Sequence, residues 1–289
     1  MIVKFSIFER LGYNEEVSKL AEYVWKLYKE GQREIDLSQY SKDNMSIYVN
    51  KLFLDEYRDN STQSRMSIMF DNILYKNKKD LVIKVNKKYP QTIMTLEHEL
   101  KHIYDYIKTG ADYRKMKDRQ FIGVFNQISS EDENTQNFLY IMYIIEMTEI
   151  TAFFHSDIRN FKENRHKFKN DIKKYIKYSR LKQNLDFINE NDITELISKI
   201  NKNEKNGMMN CYYEIQNNKL YNLIGFEYKF EVFKNKIMEI LRNMSILPGK
   251  YKQYSDEEID RFYRKFEKEV ERKKKIYRKY IDRLYAYFS

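Results

Sequence analysis

Leu81-Val-Ile-Lys-Val85, then Pro90, then Leu96-Glu97-His98-Glu99-Leu100-Lys101-His102: residues 81–107 decide the reading of this chain. The first five positions are mostly branched and apolar, which predicts a strand. Pro90 suits the first turn of a helix, here spanning Gln91 to about Ile107 with Gly110 as its terminator. His98 and His102 are four apart, so at helical pitch both imidazoles lie on one face and can reach one metal ion. Glu99 stands beside them, placed to polarise a metal-bound water as general base. Two neutral imidazoles and a carboxylate suit Zn²⁺, with one position left to water. The bland alternative is a surface helix rich in Glu, Lys and His that carries HExxH by accident; the preceding strand and the helical context weigh against it.

The stretch resembles the active-site helix of the zincin metallopeptidases, which also follows a strand. The longer run His98-Glu-Leu-Lys-His102-Ile-Tyr-Asp105 is similar to HELxHxxD variants in families that use a glutamate as third ligand. Those include mitochondrial assembly peptidases and small peptidases encoded by phages and mobile elements. The HExxHxxGxxH continuation is absent, because residue 105 is Asp and residue 108 is Lys. In glutamate-type zincins the third ligand comes from a second helix, often within E-x-x-A. Glu149-Ile-Thr-Ala152 fits that pattern, with Ala152 letting two helices approach closely. Glu146, one turn earlier, competes for the role or could support it from behind. Both acids sit in the apolar run Tyr140–Phe154, where a carboxylate needs a partner. The resemblance covers residues 80–155. It implies a zincin-like α+β fold, a Zn²⁺ cofactor held by His98, His102 and Glu149, and a peptide or protein substrate hydrolysed with Glu99 activating the zinc-bound water.

The remaining candidates receive quieter readings. Asp105 shares the face of the two histidines and is expected to accept a hydrogen bond from a ligand imidazole or a nearby backbone group. His155 points to another side of the Glu149 helix and reads as a core or surface histidine. His166, amid Lys and Asn, reads as solvated. Any of the 26 tyrosines could stabilise an oxyanion, and nothing selects one. Leu81–Val85 reads as an edge strand able to hold an extended substrate through its backbone.

Around this centre, Met1–Phe8 predicts a strand, and Asn14 with Glu15 and Glu16 predicts the start of a helix that Gly31 closes. Ile35 with Leu37, Ser46–Phe53 and Arg65–Phe70 predict further strands. Beyond Asp132 the pattern is helical: one long helix from Asp132 to Arg159, shorter ones near Glu163–Leu181, Asp192–Ile200 and Gly225–Met244, and a break at Pro248-Gly249. Ser255 and Glu258 form a capping-box pattern opening a helix to the C-terminus. Its apolar stripe runs Ile259, Phe262, Phe266, Val270, Tyr277, Tyr280, Leu284 and Tyr287, interrupted at Lys273-Lys274. The expected fold class is α+β: a zincin-like domain over residues 1–160, with a small mixed sheet and the active-site helix, then a helical region over 161–289.

Only 7 Gly and 2 Pro occur in 289 residues, which excludes collagen-like and Pro-rich disordered chains. The single Cys211 excludes a disulfide framework, a Cys-based zinc finger and an iron–sulfur site. No run of about 18 apolar residues and no signal-peptide pattern is present, so a soluble, cytoplasmic protein is expected, or a virion-associated one if a phage encodes it. Net charge is +10, part of which follows from the Lys-, Asn-, Ile- and Tyr-rich composition of AT-rich coding. Residues 250–283 carry 13 basic and 8 acidic side chains; interspersed signs suggest a solvated face first and a nucleic-acid or other anionic partner second. Two rival functions remain at this level: an inactive zincin scaffold serving as a binding or structural protein, such as a phage component, and a DNA-binding module with an accidental HExxH.

Overall fold

The computed structural model describes residues 14–37, 51–58, 66–69, 80–108, 132–217 and 251–289. Asn14 caps helix α1 (Glu15–Lys29), its side chain accepting from the Glu16 N–H at 2.8 Å. Glu15 and Glu16 occupy the first turn, where the helix dipole favours acids. Gly31, at φ +92°, takes the left-handed conformation that ends the helix. Strands β1 (Glu34–Asp36), β2 (Lys51–Tyr57), β3 (Met66–Met69) and β4 (Asp80–Asn86) then form one mixed sheet in the order β1-β2-β4-β3. β2 and β4 run parallel, with Leu54 opposite Ile83, while β1 and β3 flank them antiparallel.

That order corrects one expectation. Leu81–Val85 lies in β4, between β2 and β3, so its backbone groups are spent on two neighbours. Among the described residues the edges belong to β1 and β3. The expected strand at Met1–Phe8 and the residues Ser46–Asn50 fall outside the described residues, as do Gly110, the helix at Gly225–Met244 and the Pro248-Gly249 break.

Helix α2 (Ile93–Lys108) carries the HExxH. It starts later than Pro90: the Thr92 hydroxyl accepts from the Thr95 N–H at 3.3 Å and so caps the helix. Ile93, Leu96, Leu100 and Ile103 bury one stripe of α2 in a core shared with Val17, Leu20, Ala21 and Val24 of α1 and with Ile35, Leu52, Leu54, Ile83 and Val85 of the sheet.

The helical part comprises α3 (Glu133–Ile144), α4 (Met147–Asn164), a 3₁₀ turn (Arg165–Phe168), α5 (Ile172–Ile176), α6 (Arg180–Glu190), α7 (Ile193–Lys199), α8 (Lys202–Asn217) and α9 (Asp256–Phe288). The single long helix expected from Asp132 to Arg159 is in fact α3 and α4, bent by 73° at a break after Ile144. Glu146 is the N-cap of α4, with extended backbone (φ −61°, ψ 136°) and no side-chain cap bond. Tertiary packing makes the break. The buried Tyr277 hydroxyl of α9 donates to the Ile144 carbonyl at 2.6 Å, satisfying a helix-end acceptor that water cannot reach. The helix expected over Glu163–Leu181 is likewise divided, by left-handed Lys169 and Asn170 and by the caps Asp171 and Ser179.

In α9 the capping box forms as expected: the Ser255 Oγ accepts from the Glu258 N–H at 3.2 Å, and Glu258 Oε2 accepts from the Ser255 N–H at 2.9 Å. Its stripe from Ile259 to Leu284 is buried, and Lys273, despite its charge, is buried within it. Phe138 to Phe161 of α3 and α4 share one apolar core with α5–α9, so the helices on both sides of residue 160 pack as one body. Among the described residues no single helix is long and apolar enough to cross a membrane; α3 and α4 together match in length and composition, but their apolar side chains lie inside the protein.

Candidate metal centre

Helix α2 lies at the seam of the two cores. Its apolar stripe faces α1 and the sheet, and its opposite side packs along α4. His98 and His102 point across that seam. The two rings meet edge to face, centroids 4.8 Å apart at 86°, and the Phe153 ring lies 5.0 Å from His98. The bend after Ile144 places Glu149 in the first turn of α4, opposite both imidazoles. Ala152, fully buried one turn on, adds little bulk between the helices.

Three ligand side chains converge. His98 Nε2 and His102 Nε2 are 3.1 Å apart, His98 Nε2 is 3.3 Å from Glu149 Oε2, and His102 Nε2 is 3.2 Å from Glu149 Oε1. A tetrahedral ion with bonds of about 2.0–2.1 Å requires ligand atoms about 3.3 Å apart. The two imidazole nitrogens, and each of them with one oxygen of Glu149, stand at about that separation, and the donor set can hold a metal ion. This is the group that the spacing of HExxH and the E-x-x-A pattern bring together.

The charges of the group are coupled. Burial works against the charge of Glu149, but His102 and His98 outweigh it and hold the carboxyl well below the ordinary glutamate range. Burial also disfavours protonation of His98, yet the Glu149 carboxylate prevails and raises its pKa above 6.5. Burial pushes Glu99 up to about 8, with Glu149 adding to the rise and His98 opposing it. A bound dication acts on Glu99 in the opposite sense, favouring its carboxylate.

The other residues sort clearly. Glu146 is buried at the α4 N-cap and lies outside the convergent group. Asp105 bonds neither to an imidazole nor to backbone, as had been expected of it: its carboxylate pairs with Lys101 and accepts from the Thr151 hydroxyl at 3.1 Å. It thus ties α2 to α4 two residues past Glu149. His155 is fully buried and away from the ligands; its Nε2 accepts from the Asn14 N–H at 3.0 Å, and its Nδ1 lies 3.7 Å from Glu97 Oε1. His166 is exposed in the 3₁₀ turn.

Several residues near the site carried no expectation. Glu97 is fully buried, accepting from the Ser18 hydroxyl of α1 and from Arg159 Nε of α4 at 2.8 Å. Arg159 also donates to Glu22 at 2.7 Å and to the Ser18 carbonyl at 3.0 Å. An acid inside the stripe Ile93–Leu96–Leu100–Ile103 is the signal that marks Glu97. Burial of the Tyr143 phenol of α3, with the Glu149 carboxylate adding to the rise, holds its pKa well above 10. Arg180, the first residue of α6, lies over Phe153, 5.8 Å from the ring centroid.

Compared with family models, with curated proteins and with solved structures, the chain matches none.

Proposed function

We propose that this protein is a zinc-dependent hydrolase of peptide bonds. The observation that carries the reading is the convergence of His98 Nε2, His102 Nε2 and the Glu149 carboxylate, with Glu99 adjacent on the same helix and half-buried. Two imidazoles and one carboxylate, with the remaining position open, are the donor set of hydrolytic zinc sites. Zinc bound there supplies a Lewis acid that acidifies a water molecule and polarises the scissile carbonyl.

The chain's own residues do the rest. Glu99 takes a proton from the attacking water as its oxygen joins the carbonyl carbon. It then delivers that proton to the amide nitrogen as the C–N bond breaks, leaving a carboxylic acid and an amine. Phe153 keeps water from one side of His98.

Glu99→Gln separates this reading from an inert scaffold. The amide keeps the size of the side chain but cannot accept the water's proton. Zinc content should be unchanged, and cleavage of a broad peptide library should fall by at least about 10²-fold. Equal cleavage by wild type and variant, or none by either, counts against a hydrolase.

A further inference from the structure

We propose that Arg180 receives a carboxylate of the bound peptide, so that the site selects substrates with an acidic group next to the bond it cleaves. The proposal rests on the hydrolase reading above and adds its substrate class.

Three observations converge on Arg180. Its guanidinium lies 5.8 Å from the Phe153 ring centroid, and that ring lies 5.0 Å from the His98 ring, so one aromatic side chain separates it from the ligand imidazole. It is also held in place. Nη2 donates to the Tyr140 hydroxyl at 3.1 Å, Tyr140 donates onward to Asn184 Oδ1 at 3.4 Å, and Phe187 packs edge-on against the Tyr140 ring at 4.9 Å. Stacked on Phe153 and bonded to Tyr140, the guanidinium loses little freedom when a ligand arrives. Finally, it is exposed, and no carboxylate of the described residues lies within ion-pair distance of it.

Asp157, which bonds the Arg180 backbone, does not fill that role. Asp157 is buried, and its two oxygens already accept from the Arg180 and Leu181 N–H groups at 2.9 and 3.0 Å and from the Tyr175 hydroxyl at 3.0 Å. It fixes the backbone of Arg180, and among the described residues no acid takes the guanidinium N–H groups that the Tyr140 bond leaves over. The fork matches a carboxylate in two parallel hydrogen bonds. In a peptide, the carboxylate comes from an acidic side chain or from the free C-terminus.

Three ligands test this on the zinc-loaded protein: a malonyl hydroxamate coupled to alaninamide, to aspartic acid amide, and to alanine with a free carboxylate. All share the metal-binding head. The first is neutral, the second offers a side-chain carboxylate and the third a terminal one. By calorimetry, one acidic ligand should bind wild type about tenfold tighter than the neutral one, the range of a partly desolvated charge-assisted pair. Which of the two gains identifies the source of the carboxylate. In Arg180→Gln the preference should vanish while affinity for the neutral ligand and zinc content stay unchanged; Arg180→Lys, which keeps the charge without the fork, should retain part of it. Acidic ligands that bind wild type no tighter than the neutral one, or a preference that survives Arg180→Gln, overturn the proposal. Failure of all three ligands on protein that holds zinc instead overturns the hydrolase reading, and this inference with it.

Discussion

Glu97 of the HExxH helix and Arg159 of the Glu149 helix are joined inside the protein, Nε to Oε2 at 2.8 Å, with Glu97 fully buried. Each is next to, or on the same helix as, a member of the metal group, so the pair sets the separation of α2 and α4 at one end. The Asp105–Thr151 bond does the same at the other. His98 and His102 thus stand between two polar ties, and Glu149 lies two residues beyond the second. The first also fastens α1, through Ser18 and Glu22.

Breaking the buried tie on one side should be costly. Arg159→Met leaves Glu97 as a buried carboxylate without its cation, and stability should fall by about 3–5 kcal/mol. The double variant Glu97→Gln/Arg159→Met should recover a large part of that loss, because no charge is left unpaired. Urea unfolding of both in the presence of chelator measures this. A double variant no more stable than Arg159→Met would mean that the pair does not hold the helices through its charge.

The same pair gives the protein an acid-dependent component of stability. Burial tends to raise the pKa of Glu97, but His155, Ser18 and Arg159 outweigh it and hold it below the ordinary 4.5. The folded state therefore binds this proton less readily than the unfolded one. The stabilisation is fully present above the ordinary value and is lost as pH falls through the depressed one. Stability of wild type relative to Glu97→Gln, both in chelator, should be level near neutral pH and shrink progressively below about 4.5. A gap that widens on acidification has the wrong sign for this account.

The parts of the site that local spacing encodes were legible in the sequence. Helical pitch alone puts His98 and His102 on one face; the apolar run Tyr140–Phe154 offered both Glu146 and Glu149, and the E-x-x-A resemblance favoured Glu149. The stripe of α9 and its Ser255–Glu258 cap were equally plain, since each depends on residues within a few turns. The bend after Ile144 was not legible: no Gly, Pro or strong cap marks it, and its carbonyl is satisfied by Tyr277, 133 residues on. Strand order is also nonlocal, and Leu81–Val85 looks the same in sequence whether it is flanked on one side or both. Arg180 and Glu97 were overlooked because each acquires its meaning from a neighbour on another helix.

The two glutamates of α4 should separate by experiment. Glu149→Ala removes one of three convergent ligands and should weaken zinc affinity by at least about 10²-fold. Glu146→Ala removes a buried side chain at the helix N-cap and should lower stability, leaving zinc affinity within about tenfold, the low end of the effect of groups that only support ligands. Competition titration against a chromophoric chelator gives both affinities. The reverse ranking would assign the third ligand to Glu146.

Zinc titration of chelator-stripped protein is the most direct test of the metal centre. Calorimetry on wild type and on His98→Ala/His102→Ala, with circular dichroism to establish that both are folded, should give one zinc per wild-type chain at neutral pH and no comparable binding to the variant. Wild-type protein that binds no zinc, or a folded double variant that binds it with undiminished affinity, would contradict the assignment of His98, His102 and Glu149.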